Sequence, residues 1–291
     1  MKYFTKTTFL GLFIFLLLFT GCAKKPCLQC AMSPEQIKAQ EAQWQNLNYQ
    51  IFSLYRQNKL GDAVKAAKES VKFAEKTFGK DSLKAATSFN NLGELYRLDK
   101  KLGDAELNYK KALEIRKKLL GNEDPLVGLT LNNLGSVYFT ENRLADAQKT
   151  YESALQIIEK TPTKDNRSLI ATISNLAELY KNEKNYLYAE NAYKKLLTLR
   201  EKTVGKTDLN YAKTLNDLGA LYFLEGKYKE AEPLFQNTLT ILEGKLGKNH
   251  PDLSVVLGNI AEVYRKTGAN DKVKIFEERI NGIKTVNHLP G

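Results

Sequence analysis

Residues 131–158 read LNNLGSVYFTENRLADAQKTYESALQII. Two helical patterns run through this stretch and the residues just before it. Leu126, Leu131, Leu134, Val137 and Tyr138 recur at helical spacing, and Ala147, Tyr151, Ala154, Leu155 and Ile158 do so again at i, i+3, i+4 and i+7. The polar turn Glu141-Asn142-Arg143 separates them. Upstream, Gly121-Asn122-Glu123-Asp124-Pro125 predicts a break and a helix start, because Pro suits a first helical turn. The stretch therefore reads as a helix pair, with no alternation that would suit a strand.

The same text recurs along the chain every 42 residues, as Asn91, Asn133, Asn175, Asp217 and Asn259 show. Tyr96, Tyr138, Tyr180, Tyr222 and Tyr264 keep that step, and so do Ala63, Ala105, Ala147, Ala189 and Ala231. So do Tyr109, Tyr151, Tyr193 and Phe235, and Gly79, Gly121, Gly205 and Gly247, with Thr163 in the remaining Gly slot. Self-similarity at such a period means a solenoid or another array. Pro251 repeats the Pro125 signal, and Gly103 and Gly226 are expected to ease two inner turns. Gly93, Gly135, Ala177, Gly219 and Ala261 are small where paired helices are expected to approach closely. The Tyr96 series is expected to fill space between neighbours, its hydroxyl finding a partner at the edge.

Together, Leu92-Gly93-x-x-Tyr96, Ala105, Tyr109 and Ala112 resemble the tetratricopeptide repeat. With Leu131-Asn132-Asn133-Leu134 and Leu215-Asn216-Asp217-Leu218, the 42-residue period is similar to the kinesin-light-chain type of that family. The resemblance covers about 44–283, with units starting near Trp44, Ala86, Gly128, Ile170, Ala212 and Ser254. It implies an all-α fold, a right-handed superhelical solenoid of about six helix pairs. The first unit has Leu54 in the Tyr slot and the last has Val273 in the Ala slot, as capping units do.

The resemblance also implies a peptide-binding groove lined by the first helix of each pair. By motif position its Asn residues are Asn91, Asn133, Asn175 and Asn259, with Asp217 lacking the donor. An Asn amide can grip a peptide backbone, or it can bond a neighbouring helix. Two further first-helix positions read Glu94/Arg97, Ser136/Phe139, Glu178/Lys181, Ala220/Phe223 and Glu262/Arg265, charged and apolar in turn. Phe139 and Phe223 are expected either to anchor a partner or to pack against the next unit; Arg97, Lys181 and Arg265 are expected to pair with the Glu three residues before each. A carboxylate clamp would need a base at the second position, which reads Thr87, Leu129, Ala171, Lys213 and Val255. Only Lys213 fits, and it faces Asp217.

The N-terminus carries a different message. Lys2 and Lys6 precede an apolar run from Phe9 to Phe19, too short to span a bilayer and suited to a secretory signal. Thr20-Gly21-Cys22 resembles a bacterial lipobox, with Phe19 where Leu is usual. The resemblance implies a signal peptide over 1–21 and acylation of Cys22, and several acyl chains on one residue anchor stably. Ala23, in place of Asp, implies the outer membrane, facing the periplasm. Residues 22–34 read as a tether holding Cys27-Leu28-Gln29-Cys30, expected as a local disulfide or idle thiols. Residues 35–283 are the array and 284–291 a tail.

Composition bounds the chemistry. The chain has 291 residues, 44 Lys and Arg against 33 Asp and Glu, 2 His and 3 Cys. The Lys residues are spread rather than clustered and Arg is sparse, which argues against nucleic-acid binding. No phosphate loop, metal cluster or nucleophile relay is present in the text. The reading is thus not an enzyme and needs no cofactor or metal. It is a membrane-anchored scaffold that binds other proteins and aids assembly of an envelope complex. The alternative is a structural protein that forms homo-oligomers through stacked ends or a swapped terminal helix.

Overall fold

The computed structural model describes residues 32–160 and 166–288. Among them are twelve α-helices and no strand. The chain divides into two compact units, residues 1–122 and 123–291. Unit 1 holds α1 (Pro34–Arg56), α2 (Leu60–Phe78), α3 (Leu83–Leu98) and α4 (Leu102–Leu120). Unit 2 holds α5 (Pro125–Thr140), α6 (Leu144–Lys160), α7 (Arg167–Asn182), α8 (Tyr186–Val204), α9 (Leu209–Leu224), α10 (Tyr228–Leu246), α11 (Leu253–Thr267) and α12 (Asn270–His288). The all-α expectation holds. Odd-numbered helices are the first members of pairs and even-numbered ones the second. Within each unit every helix packs on its neighbours in sequence, and in unit 2 first helices also touch: α5 meets α7, and α9 meets α11. Cys22, Cys27, Cys30, Thr163 and the whole signal segment lie outside the described residues.

The repeated small and aromatic residues explain the pairing. Ala63, Ala105, Ala147, Ala189 and Ala231 have no exposed surface, so the second helix approaches the first without a side chain between them. Tyr109, Tyr151, Tyr193 and Phe235 are at most 1% exposed. Tyr109, Tyr151 and Phe235 lie over Gly93, Gly135 and Gly219 of their paired first helices. A Cβ added at Gly135 would come within 2.7 Å of the Tyr151 ring, and one at Gly219 within 2.8 Å of Phe235.

The inner turn is also periodic, in a way that the glycines do not reveal. Asn58, Lys100, Asn142, Lys184, Gly226 and Gly268 all have positive φ, between 57° and 79°. The next residue sends its N–H back past the turn, as in Arg143 N to Tyr138 O (2.8 Å) and Asn185 N to Tyr180 O (2.8 Å). That bond closes the helix C-terminus in a Schellman arrangement. Gly226 is the turn residue expected, but Gly103 is not: it lies inside α4, and Lys100 takes the left-handed position. Outer turns use Gly79, Gly121, Gly205 and Gly247, again at positive φ. Pro125 opens α5 behind an Asp124 cap, whereas Pro251 lies two residues ahead of α11, because Pro251 and Asp252 form a turn of their own.

The ends differ from the middle. Helix α1 has 23 residues against 16 in α3, and starts at a capping box formed by Ser33 and Gln36. In unit 1 the Trp44 indole donates to Ser88 Oγ (2.9 Å), which meets Ser70 Oγ (3.0 Å), satisfying buried polar atoms between α1, α2 and α3. Helix α12 continues to His288, through most of the segment assigned to a tail.

Two substitutions test this account by chemical denaturation. A left-handed lysine carries about 1 kcal/mol of backbone strain, so Lys184→Gly should stabilise by up to about 1 kcal/mol. Gly135→Leu should destabilise by about 1–3 kcal/mol through overpacking against Tyr151. Gly135→Ala should cost less, since Ala177 already occupies the equivalent position 42 residues on, fully buried.

Candidate functional site

The first-helix face carries the residues singled out above. In unit 1, Asn91 Nδ2 donates to Asn48 Oδ1 (2.9 Å). In unit 2, Asn175 donates to Asn132 (3.0 Å) and Asn259 to Asn216 (2.9 Å). The Asn series thus builds an amide ladder: the second Asn of one repeat bonds the first Asn of the repeat before it. This is the neighbouring-helix alternative; Asn132 is buried and the other ladder amides are half-buried. Asn133 is also half-buried on this face. Asp217 cannot donate and instead pairs with Lys213 (3.1 Å) one turn away, while Ser174, facing it in the ladder, bonds Ile170 O of its own helix.

The charged pairs form and engage further partners. Arg97 grips Glu94 with two bonds (2.6 and 2.9 Å), and the Tyr109 hydroxyl donates to the same carboxylate (2.7 Å). Lys181 meets Glu178 (2.6 Å), whose other oxygen accepts from Tyr193 (2.5 Å). Arg265, exposed at the end of unit 2, pairs with Glu262 and with Glu277 of α12. In the Ser136 repeat the ring is again a Tyr, and Tyr151 donates to Ser136 (3.1 Å); in the Ala220 repeat the ring changes to Phe235, which has no hydroxyl and lines a cleft with Ala220. The Tyr180, Tyr222 and Tyr264 hydroxyls find edge partners in Glu152, Glu190 and Glu232.

Phe139 and Phe223 are half-buried, neither hidden nor fully presented. The Phe223 ring packs edge-on against Tyr228 (5.3 Å). With Ala220, Leu224 and Phe235 it lines a cleft of about 190 Å³, bordered by Asn259 and Glu262. Unit 1 has a counterpart. A cleft of about 300 Å³ is lined by Ile51, Phe52, Tyr55, Leu95 and Leu98 and bordered by Asn48, Asn91 and Glu94. Phe52 is 55% exposed and Tyr55 44%, and Arg56 lies over the Phe52 ring. Sequence reasoning missed these two residues. The signal was available: moving back 42 residues from Glu94 and Arg97 lands on Phe52 and Tyr55. Clefts also open on the second-helix side, but charged side chains cross them: Lys111 lies over Phe89 in one, and Lys195 pairs with Glu159 in the other. Among the described residues no group of His, Cys, Asp and Glu could hold a metal ion, and no helix is long and apolar enough to cross a membrane.

The electrostatics follow from the contacts. Burial, and then the Glu94 carboxylate, push the Tyr109 hydroxyl far above its ordinary value, and burial with Glu178 does the same to Tyr193. Both therefore keep their protons and act as donors. Burial alone would raise the Glu178 carboxyl, but hydrogen bonds from Lys181 and Tyr193 outweigh it and hold the group below 4.5. A depressed carboxyl adds stability above its unfolded value and loses it as pH falls through the folded one. Near neutral pH, Glu178→Gln should be less stable than the parent, and the gap should narrow in acid as pH falls through the lowered folded value. Urea unfolding midpoints near neutral pH and in acid check this.

The same repeats are found in known proteins. The tetratricopeptide repeat family matches residues 42–118, 108–160, 168–243 and 212–279. Among solved structures, BtubC (BKLC) from P. vanneervenii is similar at 24% identity and a TM-score of 0.70, over 80% of this chain and 94% of that one. A kinesin light chain-like repeat protein of Podosopora anserina is similar at 19% identity and a TM-score of 0.64, over 72% and 99%. PilW, a type IV pilus biogenesis factor, is similar at 15% identity and a TM-score of 0.63, over 84% and 97%. No curated protein matches the chain in sequence. The repeat pattern, the twelve described helices and the four matched segments agree, and the chain belongs to the tetratricopeptide repeat family.

Proposed function

We propose that this chain is a lipid-anchored, non-catalytic scaffold of the bacterial cell envelope that binds a segment of another protein on its first-helix face. Tetratricopeptide repeats serve protein–protein interaction, and that much comes with the family. The observation that carries the finer reading is the apolar cleft beside Phe52 and Tyr55 in unit 1, repeated beside Phe223 in unit 2, each bordered by a ladder amide. Large aromatic side chains at such clefts are the usual energetic anchors of an interface. Support for the tether comes from the N-terminal text: a basic start, a short apolar run and Thr20-Gly21-Cys22. PilW, a pilus biogenesis factor, shares the fold, in keeping with a role in assembling an envelope structure; Ala23 after Cys22, in place of Asp, is the feature that favours the outer membrane, facing the periplasm.

Self-assembly by stacked ends has less support. Tyr49 stands where a ladder donor would be needed at the start, and Gly258 where an acceptor would be needed at the end.

A photo-crosslinking residue at Phe223, with a control at exposed Lys149, should capture a distinct protein at the first position and not the second in living cells. Cys22→Ser should move the chain from the membrane fraction to the soluble one. Adducts only with a second copy of the chain would replace the scaffold reading with the oligomer, and an unchanged membrane fraction would remove the lipid anchor.

A further inference from the structure

We infer that the docking face selects an extended segment carrying large apolar side chains about six residues apart, and that charge does not select it. This rests on the protein-docking reading above and names the partner's chemistry.

The first observation is a strict alternation. Carried back to the first repeat, the paired positions read Phe52/Tyr55, Glu94/Arg97, Ser136/Phe139, Glu178/Lys181, Ala220/Phe223 and Glu262/Arg265. Every second repeat is apolar, and the clefts beside Phe52/Tyr55 and beside Phe223 lie at apolar repeats.

The second observation is that the intervening charges are spent internally. Both Glu94 oxygens are taken, by Arg97 and by Tyr109, and both Glu178 oxygens are taken by Lys181 and Tyr193. Arg265 is shared between Glu262 and Glu277. The Glu94–Arg97 and Glu178–Lys181 ridges are each neutral as a pair. A charged partner would have to break a formed ion pair to gain another, which leaves little net free energy at a half-exposed site. These repeats act as spacers.

The third observation is the chemistry of the apolar repeats. At the Phe223 cleft the second-helix ring is Phe235 and its partner is Ala220, so the floor has no polar group to satisfy. Burying a large apolar side chain there stabilises the complex by about 25 cal/mol per Å² of apolar surface. Asn259 at the rim offers an amide to the main chain beside that side chain. In unit 2, Phe139 and Phe223 stand two repeats apart with the Glu178–Lys181 ridge between them. Packed helices lie 8–10 Å apart, so the two rings are roughly 20 Å apart. An extended chain covers that distance in about six residues.

The test uses the full chain in lipid nanodiscs and fluorescein-labelled peptides of about twelve residues built on Gly, Ser and Thr. One peptide carries two Phe about six apart, another two Phe about three apart, and others carry Lys or Glu in place of Phe. Anisotropy should show the wide-spaced Phe peptide binding tightest, changing less than about twofold between about 50 and about 500 mM salt. Phe223→Ser should weaken it by about tenfold. The double variant Glu178→Gln/Lys181→Gln should leave it within about twofold, and circular dichroism should show both variants folded. Affinity that follows peptide charge or salt, that ignores Phe spacing, or that survives Phe223→Ser would overturn the inference. So would the absence of binding by every peptide. If a cellular protein still crosslinks at position 223 in those cases, the docking reading stands and only its chemistry is wrong.

Discussion

The crossing of the inner helix pairs depends on one packing arrangement, an aromatic ring of the second helix seated on a small residue of the first; the end pairs, with Ala67 and Glu277 in the ring slot, lack it. Tyr151 over Gly135 and Phe235 over Gly219 are the tightest examples. Close-packed interiors tolerate neither a gap nor an extra methylene there, so the ring and the small residue set the distance between the helices together. The ring's hydroxyl then reaches the exposed side of the first helix. Its buried end determines the fold, and its polar end determines which side chain the first helix can carry. Glu94 with Tyr109, Ser136 with Tyr151, Glu178 with Tyr193 and Ala220 with Phe235 are matched in this way.

That coupling changes the meaning of the surface charges. Read as text, Glu and Arg or Lys three residues apart look like a helix-stabilising pair worth a few tenths of a kcal/mol. With a tyrosine hydroxyl as a third member, the carboxylate becomes part of the connection between two helices. The Glu178 carboxyl is held deprotonated against its own burial by these bonds. The polar half of the face is thus an extension of the fold, and the apolar half is what remains for a partner.

Much of the fold was legible because the period of 42 multiplies every signal. A single Gly or Tyr says little, while five in register define a slot. What the text hid was of two kinds. The left-handed inner turn accepts Asn, Lys or Gly, so a search for Gly found Gly226 and was misled by Gly103. The first repeat has Leu54 in the Tyr slot, which masks its register, so the exposed Phe52 and Tyr55 do not stand out in the text. The Asn series was seen at once, but a pattern cannot tell an amide that faces a ligand from one that bonds the next helix. Only the donor–acceptor geometry of Asn91 with Asn48 and its equivalents decides that.

Within unit 2 the ladder lacks a rung where Ser174 and Asp217 turn back onto their own helices. Its neighbours in unit 2, Asn132–Asn175 and Asn216–Asn259, are intact. An array whose members touch only their neighbours behaves as springs in series. Under tension the compliance of such a chain concentrates at its softest link. On the first-helix side of unit 2 that link lies between α7 and α9, so this unit, pulled from its ends, would yield there before either flanking joint.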